Sequence, residues 1–274
     1  MRFRIAGTIA ASLTALIVSA GADEIADKGR EILEKNKAAV VTVELVMKQK
    51  FSMPGMDSQE NENKAEMTAT VIDATGLAIM SLSESDPASM MEAMMSGGQF
   101  DDMKMDTEIT DAKIILEDET EVPAEIILRD KDLDIAFIRP VRKPEKEFAY
   151  VDMTKTGAPL VLDQVISVNR LGKVARRVHA ASVERITAVV DKPRTFYIPG
   201  NDPTHTGMGS PAFTLDGQAV GVFLVRVIKE SGGGGMGMFG GGMEDNVMGI
   251  ILPAADVLEA AQQAPPFGEK APAE

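Results

Sequence analysis

The chain has 274 residues, with 28 Lys plus Arg against 42 Asp plus Glu, a formal charge of -14 at pH 7, no Cys and 4% aromatic residues. So acidic a surface repels phosphate backbones and anionic lipid, and so few aromatics offer no stacking platform for single strands, which argues against nucleic acid and membrane surfaces as partners. Without Cys no disulfide framework holds the fold, so stability must come from the packed core that one large or two small domains of this length can bury.

Arg2 and Arg4 precede the apolar run IAGTIAASLTALIVSA, and Ala20 to Ala22 supply the small residues of a cleavage site. Residues 1–22 therefore read as a secretory signal, and the mature protein is expected to be exported to the periplasm or the extracellular space. The run is at the short end for a bilayer span and no stop-transfer segment follows, so no membrane association is expected after cleavage.

The next segment, DEIADKGREILEKNKAAVVTVEL, places Ile25, Ile32 and Leu33 on one helical face and then becomes β-branched: a short amphipathic helix leading into a first strand. Strand patterns follow in AEMTATVID, GLAIMSL, AKIILED, VPAEIILRD, DIAFIRP, LVLDQVISVNRL, RVHAASVERITAVV, SPAFTLD, QAVGVFLVRVI and NVMGIILP. These are short, rich in Val and Ile, and punctuated by Gly, Asp, Asn and Pro at the spacing of β-barrels or sandwiches. Helical periodicity is missing between them, which argues against a parallel, doubly wound sheet. A last helix, PAADVLEAAQQ, opens on Pro253 and is stopped by APP. The organisation expected is a signal over 1–22, a helix and first barrel over 23–150, a second barrel and closing helix over 151–264, and a disordered tail over 265–274.

Two stretches interrupt the strands, Ser85 to Asp106 and Ser231 to Asp245, both biased towards Met, Gly and acid. Gly-rich chain cannot recover its ordering entropy through burial, so the second reads as a mobile loop. The acidic run DDMKMDTE lacks EF-hand spacing and reads as solvated loop. Grouped Met thioethers are potential Cu(I) ligands, but neither His nor Cys accompanies them; adaptable apolar surface for partner chains is the better reading, and no metal or cofactor is expected.

The motif GMGSPAFTLDGQAVGV, from Gly207, joins a Gly-rich turn, a strand, an Asp216-Gly217 hairpin and a second strand. It resembles the GNSGGPL, LDG and GI block of the HtrA/Deg group of trypsin-like serine proteases. Three more blocks occur in the family's order. TATVIDATGLAIMSLSE resembles the segment ending in the general-base His; AKIILEDETEVPAEIILRDKDLDIAFIRP resembles the segment whose DIA motif holds the orienting Asp; VMGIILPAADVLEAA resembles the closing strand and helix. The resemblance runs from about residue 38 to 262 and implies an all-β, trypsin-like double β-barrel with short N-terminal and C-terminal helices.

Carried over residue by residue, the resemblance puts Ser83 at the base, Asp134 at the orienting acid and Met208 at the nucleophile. Acyl transfer needs a base within reach of the nucleophile's proton and an acid behind that base. Only Asp134 keeps its type. Ser83 has no nitrogen that titrates near neutrality, and the Met208 thioether has no proton to give. Asp134, with no His to orient, is expected to bond local backbone or the Ser83 hydroxyl. Of the two His, His179 falls on a second-barrel strand, the wrong half for the base, and reads as a sheet or surface position. His205 lies five residues from Ser210 in the nucleophile loop, and a displaced Ser210–His205 pair is the rescue alternative, with Ser210 standing where the family needs Gly.

The sequence thus points to an exported non-catalytic pseudoprotease that binds polypeptide or acts as a scaffold or regulator. The alternatives are a serine endopeptidase with a displaced nucleophile and a Met-rich metal-binding protein on a protease scaffold. Self-assembly into a homo-oligomer is an option, because the insert after Ser83 falls near where the family places a loop that often mediates trimer contacts or covers the cleft.

Overall fold

The computed structural model describes residues 19–52, 59–86, 104–200, 207–227 and 247–269. Most of the expected signal, most of both Met-rich stretches, and His205 lie outside them. Helix α1 (Ser19–Asn36) is followed by a 3-10 turn and then by β1 (Val40–Ser52), β2 (Gln59–Val71), β3 (Ala78–Ser81), a single turn of helix α2 (Leu82–Ser85), β4 (Lys104–Ile115), β5 (Glu121–Asp130) and β6 (Ile135–Pro140). These strands close a barrel in the order β1-β2-β3-β6-β5-β4. The second barrel, β10-β11-β12-β9-β8-β7, is built from β7 (Gln164–Arg170), β8 (His179–Val190), β9 (Phe196–Pro199), β10 (Pro211–Thr214), β11 (Ala219–Val227) and β12 (Val247–Pro253), with α3 (Ala254–Ala261) closing the chain. Among the described residues no helix is long and apolar enough to cross a membrane.

The physical basis is the period-2 burial expected of strands with one face inward. In β8, for example, Glu184 and Ile186 are buried while Val183, Arg185 and Thr187 are exposed. Val43, Leu45, Ala69, Ile114 and Ala136 fill the first barrel, and Val165, Ile186 and Phe223 the second. A third cluster runs through both, uniting Ile79 and Phe137 with Phe213 and Leu224 and taking in Ile32 of α1.

A charged lattice ties the barrels together. Arg170, only 5% exposed, donates from Nη1 to Ile115 O at 2.5 Å and from Nη2 to Glu119 Oε1 at 2.7 Å. Arg177 pairs with Glu119 and, at 2.5 Å, with Glu66, while Lys173 reaches Glu66 at 2.9 Å and Glu44 at 3.2 Å. His179 lies on β8, as expected, and its Nε2 sits 2.9 Å from Val40 O on β1. Three basic residues and a histidine of the second barrel are thus anchored on carboxylates and carbonyls of the first.

The structure departs from the sequence reading in four places. The β1–β2 hairpin is longer than the β-branched run, and together with β4 it makes a three-stranded blade. Along the blade Lys48 stands opposite Glu62 and Glu108, and Lys50 opposite Glu60 and Asp106. Lys104 to Glu108, read as acidic loop, are therefore strand, stabilised by opposite charges across the ladder. Strand β9 escapes the sequence reading because it is only four residues, FYIP, too short for an alternating pattern. Pro265 to Glu269, assigned to a disordered tail, are held in place: Arg139 Nη1 donates to Pro265 O at 2.8 Å and its guanidinium lies 5.6 Å from the Phe267 ring.

Candidate functional site

The turn before β10 shapes the site. Gly207 and Gly209 have φ of +83° and +81°, in the left-handed region that favours glycine. At Gly209 the requirement is absolute, because a Cβ would lie 2.1 Å from Thr68 O. Three hydrogen bonds fix the turn between the barrels: Thr70 Oγ1 donates to Gly209 O at 2.6 Å, Gly209 N to Phe223 O at 2.8 Å and Phe223 N to Ser210 O at 2.9 Å. Thr68 Oγ1 also donates to Arg170 O at 3.2 Å, so the turn is coupled to the charged lattice. Among the described residues the backbone N–H groups of Gly207 and Met208 make no hydrogen bond. The turn therefore leaves two backbone donors unpaired among the described residues, while its part-buried Met208 side chain offers no nucleophile.

Asp134 ends the β5–β6 turn at φ +57°, and its backbone carbonyl accepts from Leu82 N at 3.0 Å, which brings it beside α2. Its carboxylate is heavily bonded. Oδ1 accepts from Ser83 N at 2.8 Å, while Oδ2 accepts from Ser83 Oγ and from Ser81 Oγ, both at 3.0 Å. The two hydroxyls are 2.8 Å apart. Burial pushes the Asp134 carboxyl up to about 6, opposed by the Ser81 and Ser83 donors and by the Val225 N–H. Ser83 thus meets the Asp134 carboxylate as expected, and the residue is 8% exposed. A hydroxyl bonded to a carboxylate cannot stand in for imidazole, because it takes up no proton near neutral pH.

Two neighbours escaped the sequence reading. Ser81 lies two residues before Ser83, and their i, i+2 spacing was the available signal. Glu84 on α2 is part-buried, and its Oε2 is shut off from solvent with no hydrogen bond among the described residues. Its carboxyl is pushed up to about 7, by burial first and by the Asp134 charge second. Ser210 is fully buried (0% exposed), and its Oγ lies beneath Gly207, 3.3 Å from where a Cβ would project. Its proposed partner His205 is outside the described residues. Among the described residues no three His, Cys, Asp or Glu side chains gather as a metal site.

Two six-stranded barrels, with a glycine-rich turn and a part-buried carboxylate, define the trypsin-like double-barrel fold. The family profile described as trypsin-like peptidase domain matches residues 96–222, a span that includes Asp134 and Met208 but not Ser83. Among solved structures, the chain is similar to the apo protease domain of MamO from Magnetospirillum magneticum, at 12% identity and a TM-score of 0.51, covering 82% of this chain and 96% of that one. It is also similar to the HtrA-type protease AlgW with a decapeptide, at 14% identity and a TM-score of 0.53, covering 85% of this chain and 65% of that one. Likeness at this identity establishes the fold. No curated protein sequence matches the chain.

Proposed function

We propose that the protein is an exported, HtrA-like pseudoprotease that holds extended polypeptide without cleaving it. The observation that carries this reading is the pairing of Ser83 with Asp134, beside a turn that bears Met208. The acid keeps a partner and the turn keeps its shape, yet proton acceptor and nucleophile are both missing. Loss of two of three such groups removes the covalent pathway and leaves binding.

Two features support polypeptide as the ligand. The turn retains unbonded N–H groups at Gly207 and Met208, and the blade has outer strand edges. On the blade, β2 pairs with β3 only at Thr70 and Val71, and β4 with β5 only from Lys113 to Ile115. Among the described residues the remaining backbone of both strands is unpaired on its outer side, which is what β-strand addition requires. The HtrA-type neighbour was itself solved with a decapeptide. The displaced-nucleophile alternative has to expose Ser210 from full burial, and the metal-handling alternative rests on Met-rich stretches largely outside the described residues. A panel of unfolded polypeptides tests the reading, with binding read by fluorescence anisotropy and integrity by mass spectrometry. Binding with intact chains is expected; cleavage, or no binding to any member, overturns it.

A further inference from the structure

A separate cavity of about 430 Å³ opens where β9 meets the start of α3, sharing no residue with the Ser83, Asp134 and Met208 cluster. Its volume is at the small end for ligand pockets. Six polar side chains line it: Thr156, Arg194 and Thr195 before β9, Tyr197 on β9, and Asp256 and Glu259 on α3. Val220 and Ala254 add an apolar wall.

Tyr197 is the telling residue. It is 6% exposed and packs with Ile186, Phe223 and Ile251 in the second barrel, yet among the described residues its hydroxyl makes no hydrogen bond. Its ring is buried while the hydroxyl still reaches solvent, an apolar body with a wet tip. Here the hydroxyl belongs to a residue lining the cavity, so a group arriving there would complete it. Asp256, in the first turn of α3, also forms no hydrogen bond or ion pair among the described residues. Burial holds its carboxyl above the usual range; Arg194 opposes this from beyond ion-pair distance and Glu259 adds to it. The Tyr197 phenol is likewise held up, by burial and by the Asp256 charge.

The sign of the charge selects the ligand. An incoming anion would find the helix N-terminus already faced by Asp256, with Glu259 one turn on, so the carboxylates cancel the dipole that would attract it. A cation relieves the unpaired Asp256 and gives the phenol oxygen a donor to accept from. Arg194 lies exposed at the rim, where it can yield its position. We propose that this cavity binds a primary alkylammonium group, with Asp256 and the Tyr197 oxygen receiving the ammonium and the Val220 and Ala254 wall covering the aliphatic stem. The same chemistry comes from a free amine or from a lysyl side chain of a polypeptide. The inference does not depend on the pseudoprotease reading.

The chain supplies its own reporter, because it has no Trp and only two Tyr, of which Tyr150 is half-exposed. In a Tyr150→Phe background the ultraviolet difference spectrum reports Tyr197 alone. Butylammonium chloride and a lysine-containing peptide are titrated at matched ionic strength, against sodium chloride and the same peptide with norleucine for lysine. A saturable change is expected with one or both amines and with neither control; the amine that binds identifies the source. Asp256→Asn should weaken binding about tenfold, the loss of one charge-assisted hydrogen bond. Arg194→Ala should tighten it. Calorimetry on Tyr197→Phe, which keeps the buried ring, should also show weaker binding, and circular dichroism checks that each variant is folded. The proposal is overturned if no amine perturbs Tyr197 at tens of millimolar, if Asp256→Asn binds as the parent does, or if acetate saturates the site instead.

Discussion

Replacing Glu84 with Gln should change stability in a way that depends on pH. Glu84 is an acid whose folded value is raised, from 4.5 to about 7, by burial and by the Asp134 charge. Between those values the native state binds more protons than the unfolded chain, so stability falls as pH rises through that window and levels off above it. The full rise corresponds to about 3 kcal/mol of stability lost by pH 8 relative to pH 4. Gln has the same shape and no charge, and it also frees Asp134 from its neighbour's repulsion. Urea unfolding of both proteins at pH 5 and at pH 8 isolates the effect, because carboxylates elsewhere cancel in the difference. The variant should gain about 2–3 kcal/mol over wild type between the two pH values. A difference that stays constant with pH, or one that favours wild type at pH 8, would refute the account of a part-buried, mutually repelling carboxyl pair.

Other perturbations follow from the same geometry. Gly209→Ala drives a Cβ into Thr68 O at a positive φ, and should cost more than about 3 kcal/mol or prevent folding, whereas Gly172→Ala, with nothing within 4 Å, should be close to neutral in the same urea assay. Arg170→Ala strips the buried Ile115 carbonyl of its donor and should cost about 3 kcal/mol, against less than about 1 kcal/mol for Lys173→Ala at the exposed end of the lattice, both read by thermal melts. Met208→Ser alone should not react with fluorophosphonate, because the hydroxyl it supplies meets no base at Ser83; labelling of that single variant would show that proton transfer finds another route.

The junction of the barrels was legible because its chemistry is written in local motifs. The TATVIDATGLAIMSLSE block and the DIA motif assign Ser83 and Asp134 to adjacent roles, and they meet at 3.0 Å. The glycines of the turn announced themselves, since positive φ and close approach leave few other residues. Glu84 was illegible: a Glu after a strand reads as solvent-facing, and only α2 folding back beside Asp134 shuts its Oε2 off from solvent. The blade was hidden for a related reason. Lys48, Lys50, Glu60 and Glu62 look like a polar loop until their cross-strand partners are known, because the stabilising unit is the pair and not the residue. The inter-barrel lattice joins Glu44, Glu66 and Glu119 to Arg170, Lys173 and Arg177, which stand far apart in the chain and read singly as surface charge. Tyr197 is hidden because its four-residue strand carries no alternating pattern.

The central claim is that the fold persists without a nucleophile, and fluorophosphonate labelling of the purified protein tests it most directly. Intact mass is read beside an active serine protease treated in parallel, with Ser210→Ala as the matched variant. The account predicts an unmodified mass for this protein while the control enzyme labels fully, as Met208 and the buried Ser210 require. A single phosphonate adduct that disappears in Ser210→Ala would contradict it and assign the protein an activated serine.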